Sequence, residues 1–182
     1  MSEQYKKGSS SRVTLSQLML PSHSNFSGKI HGGYLLSLMD QIAFACGSKF
    51  SGQYCVTASV DRVDFLNPIE VGELVTLKAS VIFVGNSSMV VGIRVEAQNI
   101  QTGKVKHCNS SYFTMIAKDS EGNNARVPRL ILTSKEEVLR FVKTTQRLKL
   151  RHSYAELCAD FHGDLEQAIT DLKQQFDVRI EL

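Results

Sequence analysis

No stretch of the 182-residue chain approaches the roughly 18 consecutive apolar residues that a membrane-spanning helix needs. No apolar core follows the polar opening Met1 to Arg12, with its Lys6, Lys7 and the run Gly8 to Ser11, so no secretory signal is expected. The four cysteines, Cys46, Cys55, Cys108 and Cys158, stand far apart and form no CxxC pair. That spacing argues against a disulfide framework and a zinc site, and makes reduced thiols in the cytoplasm the expectation. His23, His107, His152 and His162 show no ligand spacing with cysteine or acidic residues, so no metal is expected. Internal repeats are lacking. No helix-turn-helix or aromatic-basic motif accompanies the basic residues, so nucleic acid is not an expected partner.

What is present is ordinary globular composition, 42% apolar and 21% charged, in a length that suits one domain with an appendage. The net charge of +3 is uneven. Residues 1–125 carry 11 basic and 9 acidic side chains, 126–152 carry 8 and 2, and 153–182 carry 2 and 7.

From Tyr34 to Phe50, Leu35, Leu38, Met39, Ile42, Ala45 and Cys46 recur at helical spacing, while Leu36, Ala43 and Phe44 fill the other face. A helix apolar nearly all round is expected to be buried. From Tyr54 the period becomes two, with Val56, Ala58 and Val60 on one parity and Val63 and Phe65 on the other, which predicts a strand bulged near Asp61 and Arg62 and ended by Asn67-Pro68. Further strands follow: Val75 to Phe83, Met89 to Ala97, and about Val105 to Ala117, with turns at Asn86-Ser87-Ser88 and Thr102-Gly103. A short strand over Arg12 to Leu20 precedes the helix. Beyond Pro128, Ser134 with Glu137 and Ser153 with Glu156 read as capping boxes of two helices, with a break at Gly163-Asp164. The expected class is α+β, an antiparallel sheet wrapped on a long central helix. Residues 1–11 read as a flexible arm, 12–128 as the main domain and 129–182 as a helical C-terminal extension.

The informative string runs from Asn25 to Asp40. Gly32 and Gly33, ahead of the helix, would let a ligand approach backbone N–H groups that have no helical partner, an arrangement suited to a carbonyl turning into an oxyanion. Asp40 lies midway along the most apolar helix, where a carboxylate is costly to bury unless it is paired or used. A general base that takes a proton from water fits that position. Gly33 and Asp40 lie about 10 Å apart along the helix at 1.5 Å per residue. Since each must come within about 3 Å of the reacting group, a site built from both requires two chains, with antiparallel helices across a two-fold axis.

Asn25 to Asp40, Val63-Asp64-Phe65-Leu66-Asn67-Pro68-Ile69 and Tyr112-Phe113-Thr114-Met115 resemble the hotdog acyl-CoA thioesterases, in particular the cytosolic long-chain acyl-CoA hydrolases and their single-domain bacterial relatives. The resemblance covers about residues 12–128. It implies a hotdog fold, dimers with helices side by side, and a trimer of dimers. It further implies that Asp40 activates water, that Asn25 of the partner chain helps position water and thioester, and that N–H groups around Gly32 and Gly33 polarise the carbonyl. A thiolate leaves readily, so no covalent nucleophile is demanded and no cofactor is implied, coenzyme A being part of the substrate. His31 reads as a group whose hydrogen bond fixes the loop or the acyl carbonyl.

For the phosphates of coenzyme A the candidates are Arg62, Ser87, Ser88 and a stripe of Arg140, Lys143, Arg147 and Arg151 on the first tail helix, which otherwise reads as a solvated face. Two other readings stay open: a domain that binds acyl-CoA without turning it over, and a hydroxyacyl-thioester dehydratase using His31 and Asp40.

Overall fold

The computed structural model describes residues 4–157 and 163–175; Cys158 and His162 lie outside them, as does the side chain of His152. Its elements are β1 (Tyr5–Lys7), β2 (Val13–Leu18), α1 (Gly32–Ser51), β3 (Tyr54–Val60), β4 (Glu73–Val84), β5 (Ser88–Asn99), β6 (Val105–Lys118), β7 (Arg129–Ile131), α2 (Lys135–Leu157) and α3 (Leu165–Gln175). The chain divides into two compact units, one ending at Thr145 and one beginning at Gln146.

In the first unit, five strands form an antiparallel sheet in the order β2-β4-β5-β6-β3. Helix α1 packs against its concave face. The helix buries Leu35, Leu38, Met39, Ile42, Ala43, Cys46, Gly47 and Phe50, alternating steps of three and one that trace a single stripe. Opposite them the strands present Val75, Leu77 and Ala79, then Val91, Ile93 and Val95, then Phe113, Met115 and Ala117, all nearly inaccessible. Each Val, Leu, Ile, Phe or Met among them contributes on the order of 1.5–3 kcal/mol when fully buried. A Cβ on Gly47 would lie 3.5 Å from the Met115 side chain, an ordinary packing distance. At its far end α1 stops at Gly52, whose φ of 74° is left-handed and whose N–H bonds the Ser48 carbonyl.

The expectation of a helix buried all round is corrected: Ser37, Asp40, Gln41 and Phe44 are exposed on the single chain. Strand β3 also differs from its expected parity and length. It ends at Val60, and its bulge falls between Thr57 and Ser59 rather than near Asp61 and Arg62. Cys55 rather than Val56 is the fully buried residue, because the inner-facing partners Ala117 and Met115 stand opposite Cys55 and Thr57. Residues 61–69 run instead as an irregular segment clipped to β6, with Asp61 N–H on the Tyr112 carbonyl, Leu66 N–H on the Cys108 carbonyl, and the Asn67 amide on the His107 carbonyl.

Residues 4–11 do not form the expected free arm. Strand β1 pairs in parallel with β7, and the Lys6 ammonium donates to the Phe50 carbonyl at 2.9 Å. Ser11 is fully buried. Its hydroxyl donates to the Gly8 carbonyl at 2.6 Å and accepts the Val81 N–H at 2.9 Å, at the bulge of β4.

The capping of α2 is also shifted. Ser134 Oγ accepts the Glu137 N–H, but the Glu137 carboxylate reaches back to the N–H and hydroxyl of Thr133. Those bonds hold the Glu137 pKa below its ordinary value, the Thr133 N–H being the largest cause. Ser153 starts no helix; it lies inside α2 and bonds back to the Lys149 carbonyl. The cap of α3 is Asp164, whose carboxylate accepts the Glu166 N–H.

Replacing Ser11 by alanine would leave the buried Val81 N–H without its acceptor, a loss of about 1–3 kcal/mol. The expected result is a lower urea midpoint with unchanged slope, whereas Ser10→Ala, at an exposed neighbour, is expected to leave the midpoint in place.

Candidate active site

An open groove runs along the uncovered face of α1 and is lined by Gly33, Leu36, Ser37 and Asp40 from the helix, Val60, Asp61 and Val63 from the chain leaving β3, and Phe113 from β6. Its walls are mostly apolar. Asp40 is the acidic group on the helix side, exposed rather than enclosed, so the expected burial of this carboxylate is not met within one chain.

The bulge in β3 composes the groove. Thr57 faces Met115 and Val60 faces Phe113, although one is an odd and the other an even position. An unbulged strand would send them to opposite faces. Because both point toward α1, the Thr57 hydroxyl reaches the Asp40 carboxylate at 2.5 Å and also contacts the Met115 sulfur at 3.5 Å. A hydroxyl that donates to one carboxylate oxygen fixes the rotamer and leaves the other lone pairs for water.

At the head of α1, His31 is the N-cap. Its Nδ1 accepts the Gly33 N–H at 2.9 Å, and its carbonyl accepts the Tyr34 N–H at 3.0 Å. Both glycines already face aromatic rings. A Cβ on Gly32 would lie 3.2 Å from Phe65 Cζ, and one on Gly33 would lie 3.1 Å from the His31 ring. The expected pair of open N–H donors is therefore reduced to Gly32, whose N–H has no acceptor among the described hydrogen bonds.

Asn25 builds the loop that leads to this helix end. Its Oδ1 accepts from the N–H and hydroxyl of Ser27 and from the Lys29 N–H, at 3.0, 2.7 and 3.1 Å. The amide oxygen is thus committed to the loop, and the NH2 end is the one with hydrogen-bonding capacity to spare. Phe26, next to it, stands fully in solvent.

The chain matches proteins of known family. Residues 27–104 match the Thioesterase superfamily. The chain is 34% identical over 150 residues to the uncharacterized acyl-CoA thioester hydrolase YkhA of Bacillus subtilis, covering 80% of this chain and 87% of that one. The chain belongs to the thioesterase superfamily. Solved thioesterases share the fold, including an apo-hexameric acyl-CoA thioesterase, at 33% identity and a TM-score of 0.81 over 84% of this chain and 97% of that one. An acyl-CoA hydrolase from Staphylococcus aureus, in complex with butyryl coenzyme A, coenzyme A and coenzyme A disulfide, aligns at 29% identity and a TM-score of 0.78 over 93% and 99% of the two chains. That enzyme has also been solved with an asparagine, an aspartate or a threonine replaced by alanine, in that order along its chain and 15 and 17 residues apart. The curved sheet around α1 is the hotdog fold that the sequence resemblance implies.

Within this thioesterase chain, the residues named from sequence separate into two groups. Gly33 and Asp40 share the groove, and His31, Gly32 and Asn25 stand at the head of the same helix. Arg62 lies between groove-lining Asp61 and Val63, with its side chain 86% exposed and paired to Asp64 at 2.8 Å. Of the others, Ser87, Ser88, Arg140 and Lys143 of the first unit do not line that groove. Ser88 stands opposite Ile116 while its neighbour Met89 faces inward, so alternation turns Ser88 to the outer face of the sheet, where its hydroxyl folds toward Gly85; Ser87 lies in the same turn. Arg140 pairs with Glu136 one turn away at 2.6 Å, Lys143 is exposed, and Arg147 is half-buried. Nucleophilic thiol chemistry is disfavoured at Cys46, where burial pushes the pKa up to about 12. Thr57 was not singled out from sequence, because alternation assigned it to the polar side of its strand and nothing before the fold ties it to Asp40.

Thr57→Val should lower kcat for thioester hydrolysis roughly 10- to 100-fold, the worth of a hydrogen bond to a charged group, with Thr57→Ser within about three-fold of the parent. Steady-state release of free thiol from an acyl-CoA measures both.

Proposed function

We infer that this chain is an acyl-CoA thioesterase that hydrolyses fatty acyl-CoA to a fatty acid and coenzyme A by general-base activation of water. The observation that carries the reading is a carboxylate, Asp40, anchored by Thr57 on an apolar groove whose other end is the amide-rich tip of the same helix. Asn25, Asp40 and Thr57 follow one another with the order and spacing of the three residues replaced in the Staphylococcus aureus hydrolase, which supports giving all three a part in the reaction.

In the proposed reaction, Asp40 takes a proton from water as its oxygen bonds to the thioester carbon. The carbonyl oxygen gains charge, and N–H dipoles at the head of α1 stabilise it, as fixed donors do without reorganising. The carbon–sulfur bond then breaks, the acid is released, and the coenzyme A thiolate leaves and takes up the proton held by Asp40, which restores the carboxylate. Asn25 positions water or thioester through its NH2 group.

Distance makes the site a shared one. Gly33 and Asp40 are about 10 Å apart along α1, so Asp40 of one chain works with the helix tip and Asn25 of a partner, two helices lying antiparallel. A trimer of such dimers is the assembly we propose, in keeping with the hexameric relative. Arg62, exposed beside the groove, is the proposed contact for a coenzyme A phosphate, replacing the serines and tail cations as the first candidate. The buried, unbridged thiols of Cys46, Cys55 and Cys108 suit the cytoplasm, where protein thiols stay reduced.

Asp40→Ala is expected to abolish measurable CoA release from acyl-CoA, by 10²-fold or more on the order of general-base contributions. Sharing between chains is tested by mixing Asn25→Ala and Asp40→Ala proteins after reversible dissociation. Mixed dimers would hold one intact site each, so activity should return to about one quarter of the parent value. No recovery would place the whole site in one chain, and acyl-CoA binding without any CoA release by the parent protein would favour a sensor.

A further inference from the structure

The imidazole of His31 already occupies the hydrogen-bond position that the proposed reaction assigns to the substrate. Its Nδ1 lies 2.9 Å from the Gly33 nitrogen. The ring is exposed on the single chain and touches the helix tip so closely that a Cβ on Gly33 would stand only 3.1 Å from its Nδ1 and Cε1. A side chain at position 33 would press on this ring and push it aside by a few tenths of an ångström. Gly32 next to it meets a different ring, Phe65, and its N–H has no acceptor among the described hydrogen bonds. One donor of the pair is open and the other is covered.

We propose that His31 is a displaceable placeholder at the oxyanion position: its Nδ1 holds the Gly33 N–H until the thioester oxygen takes that bond over. The proposal rests on the thioesterase reading given above and concerns a positioning residue, since His31 need not touch the reacting atoms. A neutral imidazole accepts through one nitrogen only, so a bond received at Nδ1 puts its proton on Nε2. Swinging the ring outward removes one N–H···N bond and creates one N–H···O bond. While the carbonyl is neutral the exchange is nearly even. Once the oxygen carries charge the new bond is charge-assisted and about twice as strong, so displacement favours the transition state over the bound substrate. The same ring holds the first turn of α1 together in the unliganded protein, where an orphan N–H would otherwise depend on water.

This arrangement separates His31 from a proton-transfer residue by the sign of one measurement. Removing a competing acceptor should help the reaction, so His31→Ala is expected to raise kcat/KM roughly three- to ten-fold while lowering the thermal midpoint by several degrees through loss of the cap. His31→Asn, which supplies a strong N-cap acceptor, should return the midpoint and bring kcat/KM to or below the parent value. A loss of kcat/KM in His31→Ala would overturn the proposal in favour of a catalytic histidine, and an unchanged kcat/KM would overturn it in favour of a merely structural cap. Should the alanine variant fold poorly, the parent protein gives the answer. With ¹⁵N-labelled histidine and an acyl-CoA ketone in which methylene replaces sulfur, the Nδ1 resonance should move toward that of a free imidazole while the Gly33 amide proton remains hydrogen-bonded. Binding of the ketone with no change at His31 would overturn the proposal alone, whereas absence of both ketone binding and CoA release would overturn the functional reading beneath it.

Discussion

An α-helix is a rod, and a rod cannot bring its own end to its own middle. The shared site proposed for this thioesterase follows from that restriction acting on α1. One stripe of the helix is committed to the concave sheet through Leu35, Leu38, Met39, Ile42 and Phe50, which fixes its position and leaves the opposite face uncovered. Gly33 and Asp40 fall on that uncovered face, both along one groove. Burial and chemistry are divided between two sides of a single element, and the chemical side is completed by a second copy in the proposed assembly. The exposure of Phe44, Phe26 and Tyr54 on the single chain is of a piece with such a partner, since large apolar groups left in water favour a cover.

The string that drew attention to the site did so for partly different reasons from those the structure supplies. Two glycines before a helix suggested room for a ligand. The room exists, but Phe65 and His31 already use it, and a Cβ on either glycine would press on a neighbouring ring. Sequence cannot distinguish space left for a substrate from space left for a side chain that arrives from elsewhere in the fold. Phe65 comes from a segment more than thirty positions away, held to β6 by backbone bonds that no local pattern announces. His31, by contrast, was recognisable as a hydrogen-bonding residue of the loop, and a cap immediately before the first helical residue is the local form such a bond takes.

Much of the fold was legible because the hydrophobic repeat of its long elements holds over most of their length. α1, β4, β5 and β6 fall close to their expected bounds, for the hydrophobic repeat and the turns at Gly103 and Asn86 act locally. The failures occur where one residue changes phase. A single extra position at Ala58 turns Val60 inward beside Thr57, so a parity count starting at Val56 puts Thr57 on the wrong face. Asp40 was located correctly on the helix but assigned an interior that one chain does not provide, because apolar Leu36 and Phe44 signal burial without saying what does the burying. The opening residues misled in another way. Their polarity suggested a loose end, while Ser11 and Lys6 spend that polarity on backbone groups of β4 and α1.

The pairing of β1 with β7 has a consequence for the contact order of the molecule. Among the described residues the strand partner of Tyr5–Lys7 is Arg129–Ile131, more than 120 positions along the chain. Closing so long a loop costs more chain entropy than closing the hairpins that join β4, β5 and β6, so this junction is expected to form after the sheet has gathered around α1.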